Sequence, residues 1–121
     1  MTMSRRQPID GTQELAIHES GGGTVVLEVR GELTRDGRLE RLQHAVERWF
    51  HDRRIHEVHV DLSGATAIDL QGLGTLLALR RRSGQEGASF VVDNPTGAVR
   101  SRLEQTGTLD YLRGDETDPA R

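Results

Sequence analysis

The chain has 121 residues, with sixteen basic side chains that are all Arg, nineteen acidic side chains and a formal net charge of −3. Because it contains no Cys, disulfides, thiolate metal ligands and cysteine nucleophiles are excluded. Its acidic balance and its single Trp, single Tyr and two Phe disfavour a nucleic-acid-binding protein, since such proteins need basic surfaces and aromatic stacking platforms.

The length and hydropathy pattern predict one cytoplasmic domain over residues 12–113, with flexible tails at 1–11 and 114–121. No stretch reaches the roughly 20 apolar residues of a membrane span, and the N-terminus lacks the apolar core of a signal peptide. We therefore expect no direct membrane insertion, and the composition suggests no cofactor.

Two strands joined by a glycine-rich turn are predicted at the start of the domain. The first strand covers residues 14–17, the turn covers 20–23 and the second strand covers 24–30. In the second strand, Val25, Leu27 and Val29 alternate with Val26, Glu28 and Arg30. This period of two predicts a sheet that is covered mainly on one side.

A first long helix is predicted after Gly31-Glu32-Leu33-Thr34, with Thr34 or Asp36 as its N-cap and its end near residues 51–54. Its apolar stripe is formed by Leu39, Leu42, Val46, Trp49 and Phe50. A third strand follows, with Val58, Val60 and Leu62 on one face. Residues 63–69 are predicted to form a loop of small side chains.

A second long helix is predicted from about Gln71 to Gly84 or Gly87. A fourth strand at 89–92, a turn at 93–95, a third helix closed by Gly107 and a short segment at 109–112 complete the chain. The order β-β-α-β-α-β-α predicts an α/β fold with right-handed parallel crossovers. We expect a mixed four- to five-stranded sheet packed with helices mainly on one face.

Several patterns suggest a ligand or catalytic site, and the residues around them disfavour each one. Gly72-Leu73-Gly74 lacks the third glycine of a dinucleotide-binding motif, so we interpret both glycines as positions of tight helix–sheet packing. His56 and His59 would point to opposite faces of a strand, so they are interpreted as surface histidines without a metal. No serine lies in a nucleophile-elbow sequence, so no catalytic residue is predicted.

Linked motifs along the chain resemble the STAS domain of anti-sigma factor antagonists. That family carries G-E-L/I-D, D-L-S-G-V, I/M-D-S-S-G-L-G and, after a Pro-containing turn, V-x-x-x-L-x-x-T-G. The corresponding residues here are Gly31–Thr34, Asp61–Ala65, Ile68–Gly74, and Asn94-Pro95 with Val99, Leu103, Thr106 and Gly107. The resemblance covers about residues 14–112 and implies the STAS fold.

The resemblance implies a non-enzymatic regulatory module that works by docking. In that family the unmodified antagonist binds an anti-sigma factor that is also a Ser/Thr kinase, which frees the sigma factor. Phosphorylation of the second Ser of D-S-S-G breaks the complex, and a phosphatase restores it. A phosphate adds about −1.5 to −2 charges at a helix N-terminus, which the helix dipole tolerates but a docked partner surface is expected to reject.

This sequence departs from the family at the phosphoacceptor. Leu70 and Gln71 occupy the positions of the two Ser residues, and Thr34 replaces the Asp of G-E-L-D. Gln71 is therefore a degenerate phosphosite, neutral like the unmodified state, and we predict that phosphorylation switching is lost there. Thr66 and Thr75 lie nearby, but Thr75 is expected to expose its hydroxyl poorly because it lies inside the helix.

The predicted contact surface covers residues 63–74 and the start of the first long helix. Its partner-binding residues are Thr34, Ser63, Asp69, Leu70, Gln71, Gly72, Leu73 and Gly74. The expected partner is an anti-sigma factor of the Ser/Thr kinase-like type, bound constitutively by a monomer or weak dimer, although the altered loop also allows a different partner. The alternative is a scaffold or transport-associated STAS subunit with no role in sigma regulation.

Overall fold

The computed structural model describes residues 7–8, 15–34 and 38–112. Its strands and helices alternate largely as the sequence predicts. In chain order they are β1 (Gln7–Pro8), β2 (Leu15–Glu19), β3 (Thr24–Leu33), α1 (Arg38–Asp52), β4 (Glu57–Ile68), α2 (Leu70–Gln85), β5 (Ser89–Asp93), α3 (Gly97–Gln105) and α4 (Leu109–Leu112).

The strands form one mixed sheet in the order β1-β2-β3-β4-β5. The pairs β1–β2 and β2–β3 are antiparallel, whereas β3–β4 and β4–β5 are parallel, because α1 and α2 return the chain to the same edge. Along the central strands, buried residues alternate with half-buried ones. The predicted α/β architecture, with a sheet covered on one face, is confirmed.

The core lies between this sheet face and the helices. Fully buried side chains come from both layers: Leu27, Val29, Val60 and Leu62 from the strands, and Leu42, Leu76 and Leu103 from the helices. Burial of this kind stabilises the fold by about 1.5–3 kcal/mol for each large apolar side chain. The apolar stripe predicted for the first long helix is buried in α1 at every position.

The loop predicted at residues 63–69 is wrong, because β4 continues as a strand to Ile68. Its extension pairs in parallel with the end of β3, from Arg30 opposite Gly64 to Leu33 opposite Ile68. The register shifts twice in β3 over this stretch, so the period of two is lost. Gly64 allows the close pairing, since a Cβ there would lie 2.9 Å from Cγ of Arg30.

Several predicted boundaries differ from the observed ones, or lie outside the described residues. The first predicted strand is observed at Leu15–Glu19, and α2 begins at Leu70. The alternative cap Asp36 lies outside the described residues. Of the predicted tails 1–11 and 114–121, the structure describes only Gln7–Pro8, which pair with β2. Within the described ranges, no helix has the length and apolar character needed to cross a membrane.

The start of α2 packs directly against the end of β3. A Cβ on Gly72 would lie 2.1 Å from the carbonyl oxygen of Leu33 and 2.9 Å from Cγ1 of Ile68. The interpretation of Gly72 as a packing position is therefore confirmed. For Gly74 the same interpretation is wrong, because this residue is exposed and its Cβ would meet nothing within 4 Å.

We predict opposite effects of alanine at these two glycines. Gly72→Ala is expected to lower the free energy of unfolding by about 2 kcal/mol or more, because a backbone carbonyl cannot move aside as a flexible side chain can. Gly74→Ala, the matched control, should raise it by about 0.5–1 kcal/mol, since Ala favours the helix over Gly. Urea unfolding of both variants measures the difference, and an equal change in both would contradict this packing.

Candidate functional site

The junction between β4 and α2 is fixed by Asp69. This residue has extended backbone angles and is the N-cap of α2, with its Oδ1 accepting a hydrogen bond from the backbone N–H of Gly72 at 2.8 Å. Its own backbone N–H donates to the carbonyl oxygen of Leu33 at 3.4 Å. A carboxylate therefore already occupies part of the positive N-terminus of α2.

In the first turn of α2, two residues face solvent and the next two face the core. The side chain of Leu70 is 67% exposed, and it is the one large apolar side chain classed as exposed among the described residues. Gln71 and Gly74 are also exposed. Gly72 and Leu73 are buried, so they shape the predicted contact surface but present little of themselves to a partner.

Thr34 lies at this junction, whereas Ser63 lies farther back on β4, about 16 Å before Ile68 along an extended strand. Ser63 is exposed, and its backbone N–H donates to Oδ1 of Asp61 at 3.0 Å. Thr34 is half-buried and directly follows Leu33, whose carbonyl oxygen faces the start of α2. The structure brings the end of β3 and the start of α2 together, and leaves Leu70 and Gln71 as the exposed side chains of that junction.

The hydroxyls of Thr66 and Thr75, the two threonines named above, have different environments. Thr75 is 7% exposed, and its hydroxyl donates to the carbonyl oxygen of Gln71 at 3.0 Å. The prediction that its hydroxyl would be poorly exposed is confirmed. Thr66 is exposed on β4.

On α2 itself the surface around Leu70 carries no charge, and the neighbouring carboxylate of Asp69 is engaged in the N-cap hydrogen bond. From Leu70 to Leu79, α2 contains no charged residue, and its first turn has no acidic side chain. An exposed apolar side chain on an uncharged helix surface can contact another protein without removing a charge from water. The chemistry available at this site is therefore apolar and hydrogen-bonding contact.

The open face of the sheet carries a polar cluster that the sequence did not reveal. The Nδ1 atom of His59 lies 2.7 Å from Oδ2 of Asp93, and its Nε2 atom lies 3.1 Å from Oε1 of Glu57. Both ring nitrogens can donate to these carboxylates only when the imidazole is protonated. The alternation of Glu57, His59 and Asp61 on β4 was the available signal, but the partner on β5 could not be inferred from it.

This environment changes two pKa values. Burial lowers the pKa of His59, but the hydrogen bonds and charges of Asp93 and Glu57 outweigh that effect and raise it above 6.5. Burial raises the pKa of Asp61, but hydrogen bonds from Ser63 and Asn94 and the charge of Arg30 lower it overall. His56 precedes β4 and is exposed, so the two histidines do not act together.

Comparison with known proteins decides the family. A sequence model of the family described as "Mlab, STAS domain" matches residues 18–113. The chain belongs to the STAS domain family. No curated protein matches the sequence, so the remaining comparisons are with solved structures.

The STAS domain resembles several anti-sigma factor antagonists in fold. SpoIIAA in its unphosphorylated form has a TM-score of 0.72 at 19% identity, with 88% of this chain and 90% of that chain covered. The phosphorylated Bacillus SpoIIAA has a TM-score of 0.63 at 16% identity, covering 88% and 94%. An anti-sigma factor antagonist from Mycobacterium paratuberculosis has a TM-score of 0.64 at 24% identity, covering 88% and 86%.

We predict that the Asp69 cap stabilises the STAS domain. Asp69→Ala removes the acceptor for the Gly72 N–H and is expected to lower the free energy of unfolding by about 1 kcal/mol. Asp69→Asn keeps an acceptor in the same place and is expected to lose only a fraction of that amount. Chemical denaturation of the two variants compares them, and equal losses would show that the charge and not the cap is what matters.

The His59 cluster predicts a pH dependence of stability. Because the folded-state pKa of His59 is raised above 6.5, its contribution to stability is complete below that value and is lost as pH rises through the folded-state pKa. The wild-type protein should therefore lose stability relative to His59→Gln between pH 6 and pH 9. Thermal unfolding across this range tests the sign, and parallel curves for the two proteins would contradict it.

Proposed function

We propose that this STAS domain is a non-enzymatic regulatory module of the cytoplasm. It docks on an anti-sigma factor of the Ser/Thr kinase-like type and so releases a sigma factor. Membership of the STAS family and the fold shared with anti-sigma factor antagonists support this proposal. At identities of 14–24%, the likeness extends to the fold alone, so the partner is proposed from the motif resemblance and the junction described above is its proposed contact surface.

The exposure of Leu70 is the observation that supports docking most directly. Its side chain is 67% exposed at the first position of α2, next to the exposed Gln71. A single exposed Leu is common on protein surfaces; what favours a contact role here is its place at the first position of α2, where the motif of the resembling family carries the Ser residues of its switch. We propose that Leu70 is the apolar centre of the contact, that Gln71 and Thr34 lie beside it, and that Ser63, farther back on β4, lies at its edge.

We further propose that the contact has no phosphorylation switch at residue 71. Gln71 is exposed where a kinase could reach it, but its amide accepts no phosphate. The nearest hydroxyl on α2, that of Thr75, is buried and bonded to the backbone. Binding is then constitutive, and the amount of the antagonist controls the release of the sigma factor.

The charge already present at the junction explains why an added one would weaken docking. The carboxylate of Asp69 accepts a hydrogen bond from the backbone N–H of Gly72 in α2 and partly neutralises the positive end of the helix dipole. A second negative charge at residue 71 would lie on the surface that contacts the partner. α2 itself carries no basic residue before Arg80 that could compensate its desolvation on docking.

We predict that two substitutions weaken partner binding without unfolding the domain. Leu70→Ala and Gln71→Glu should each reduce affinity about tenfold, which corresponds to about 1.4 kcal/mol. Gln71→Ser, which restores the family residue, should bind as the wild type does. Ser101→Ala, at an exposed position on α3, is the matched control and should change nothing.

The measurement is a pull-down from the native cell followed by titration of the purified partner with each variant. Recovery of a kinase-like ATPase supports the proposal, whereas transporter subunits would support the scaffold alternative. Unchanged affinity of Gln71→Glu would show that the junction is not the recognition site. Stoichiometric phosphate near residue 71 after incubation with the partner, detected by mass spectrometry, would contradict the absence of a switch.

A further inference from the structure

A second candidate surface lies on the other flank of α1, away from α2. There a groove runs between α1 and the sheet edge formed by β1 and β2. The apolar side chains of Ile17, Ala45 and Trp49 lie at its base, and Arg41, Arg48 and Arg53 line its sides. We refer to it as the arginine groove.

The arginine groove concentrates positive charge on a chain whose net charge is −3. Three arginines line it against one carboxylate, that of Asp52. Arg41 and Arg48 are exposed, and within the part of the chain that the structure describes no ion pair is formed by either. Two guanidinium groups that line the same groove and form no ion pair with any described residue are suited to bind carboxylates.

The third arginine, Arg53, covers Trp49 and is held there by two contacts. The guanidinium of Arg53 lies 3.8 Å from the ring centre of Trp49, and its Nε atom is 3.9 Å from Oε1 of Glu19. The side chain of Arg53 is 42% exposed, so the second contact is a surface ion pair of small energy. Displacement of Arg53 by a ligand would uncover the indole at the base of the groove.

We propose that the arginine groove binds a short acidic segment of a partner protein in extended conformation. Arg41 and Arg48 are two turns apart on α1, about 10 Å along the helix axis. In an extended chain, alternate side chains share a face and recur about every 6.6 Å. An acidic, an apolar and an acidic residue at alternate positions place their two carboxylates about 13 Å apart, a distance that the long side chains of Arg41 and Arg48 can span while the apolar side chain lies over Ala45 and the neighbouring Trp49.

The shape and charges of α1 favour a peptide over an anionic membrane. The apolar base lies below the guanidinium groups, where a flat bilayer surface would not reach. A bilayer close to Arg41 and Arg48 would also approach the exposed carboxylates of Glu40 and Glu47 on the same helix. An extended segment enters the groove alone and avoids that repulsion. This inference does not depend on docking at Leu70, because α1 separates the two surfaces.

Trp49 supplies the readout, since it is the only tryptophan in the chain. The full-length protein is titrated at low salt with the capped peptide Glu-Ser-Leu-Ser-Glu flanked by glycines, and tryptophan emission is followed. We expect a saturable change that weakens at higher salt. The double variant Arg41→Gln/Arg48→Gln should bind at least tenfold more weakly, and both positions are exposed, so circular dichroism should show an unchanged fold.

The controls are a variant, a neutral peptide and a titration with vesicles. Arg81→Gln, an exposed arginine on α2, should bind as the wild type does, and the peptide with Gln in place of both Glu should not bind. No saturable change, equal binding by the double variant, or equal binding of the neutral peptide would overturn the proposal. A response to vesicles of phosphatidylglycerol without any response to the peptide would also overturn it and indicate a membrane surface instead.

Discussion

The contact between the carbonyl oxygen of Leu33 and the backbone at Gly72 fixes the orientation of the junction. The end of β3 comes so close to the first turn of α2 that a Cβ at residue 72 would lie 2.1 Å from that oxygen. Because a helix turns about 100° for each residue, placing Gly72 against β3 directs Leu73 inward as well and leaves Leu70 and Gln71 toward solvent. The exposed Leu at the junction is thus a consequence of backbone packing on its opposite side.

The same contact explains why the capping carboxylate lies where it does. Asp69 is held by its backbone hydrogen bond to Leu33, and from that position its side chain reaches the N–H of Gly72. The positive end of α2 is therefore already occupied by the carboxylate of Asp69. A helix N-terminus that is capped in this way needs no external anion. A charge added at residue 71 would therefore act mainly on the partner protein that contacts this surface.

The parts of the fold that depend on local patterns could be predicted, and those that depend on distant partners could not. The apolar stripe of α1 and the alternation along β3 follow from spacing within one element. Residues 63–68 lack that regularity, and they form a strand because the irregular end of β3 pairs with them. Gly72 and Gly74 have the same side chain, and only the position of Leu33 distinguishes a required glycine from a replaceable one. His59 was likewise assigned to the surface because Asp93 lies on another strand.

The proposed absence of a phosphorylation switch at residue 71 has a consequence for regulation that involves both proposed surfaces, the junction and the arginine groove. An antagonist without a switch at its contact surface would hold its partner for as long as both are present, so specificity has to come from affinity or from a second contact. The arginine groove lies on the far flank of α1 from Leu70, so one partner segment could occupy it while the junction is engaged. Simultaneous engagement raises the effective concentration of the second contact, and masking an acidic segment would then weaken the complex without any change at residue 71.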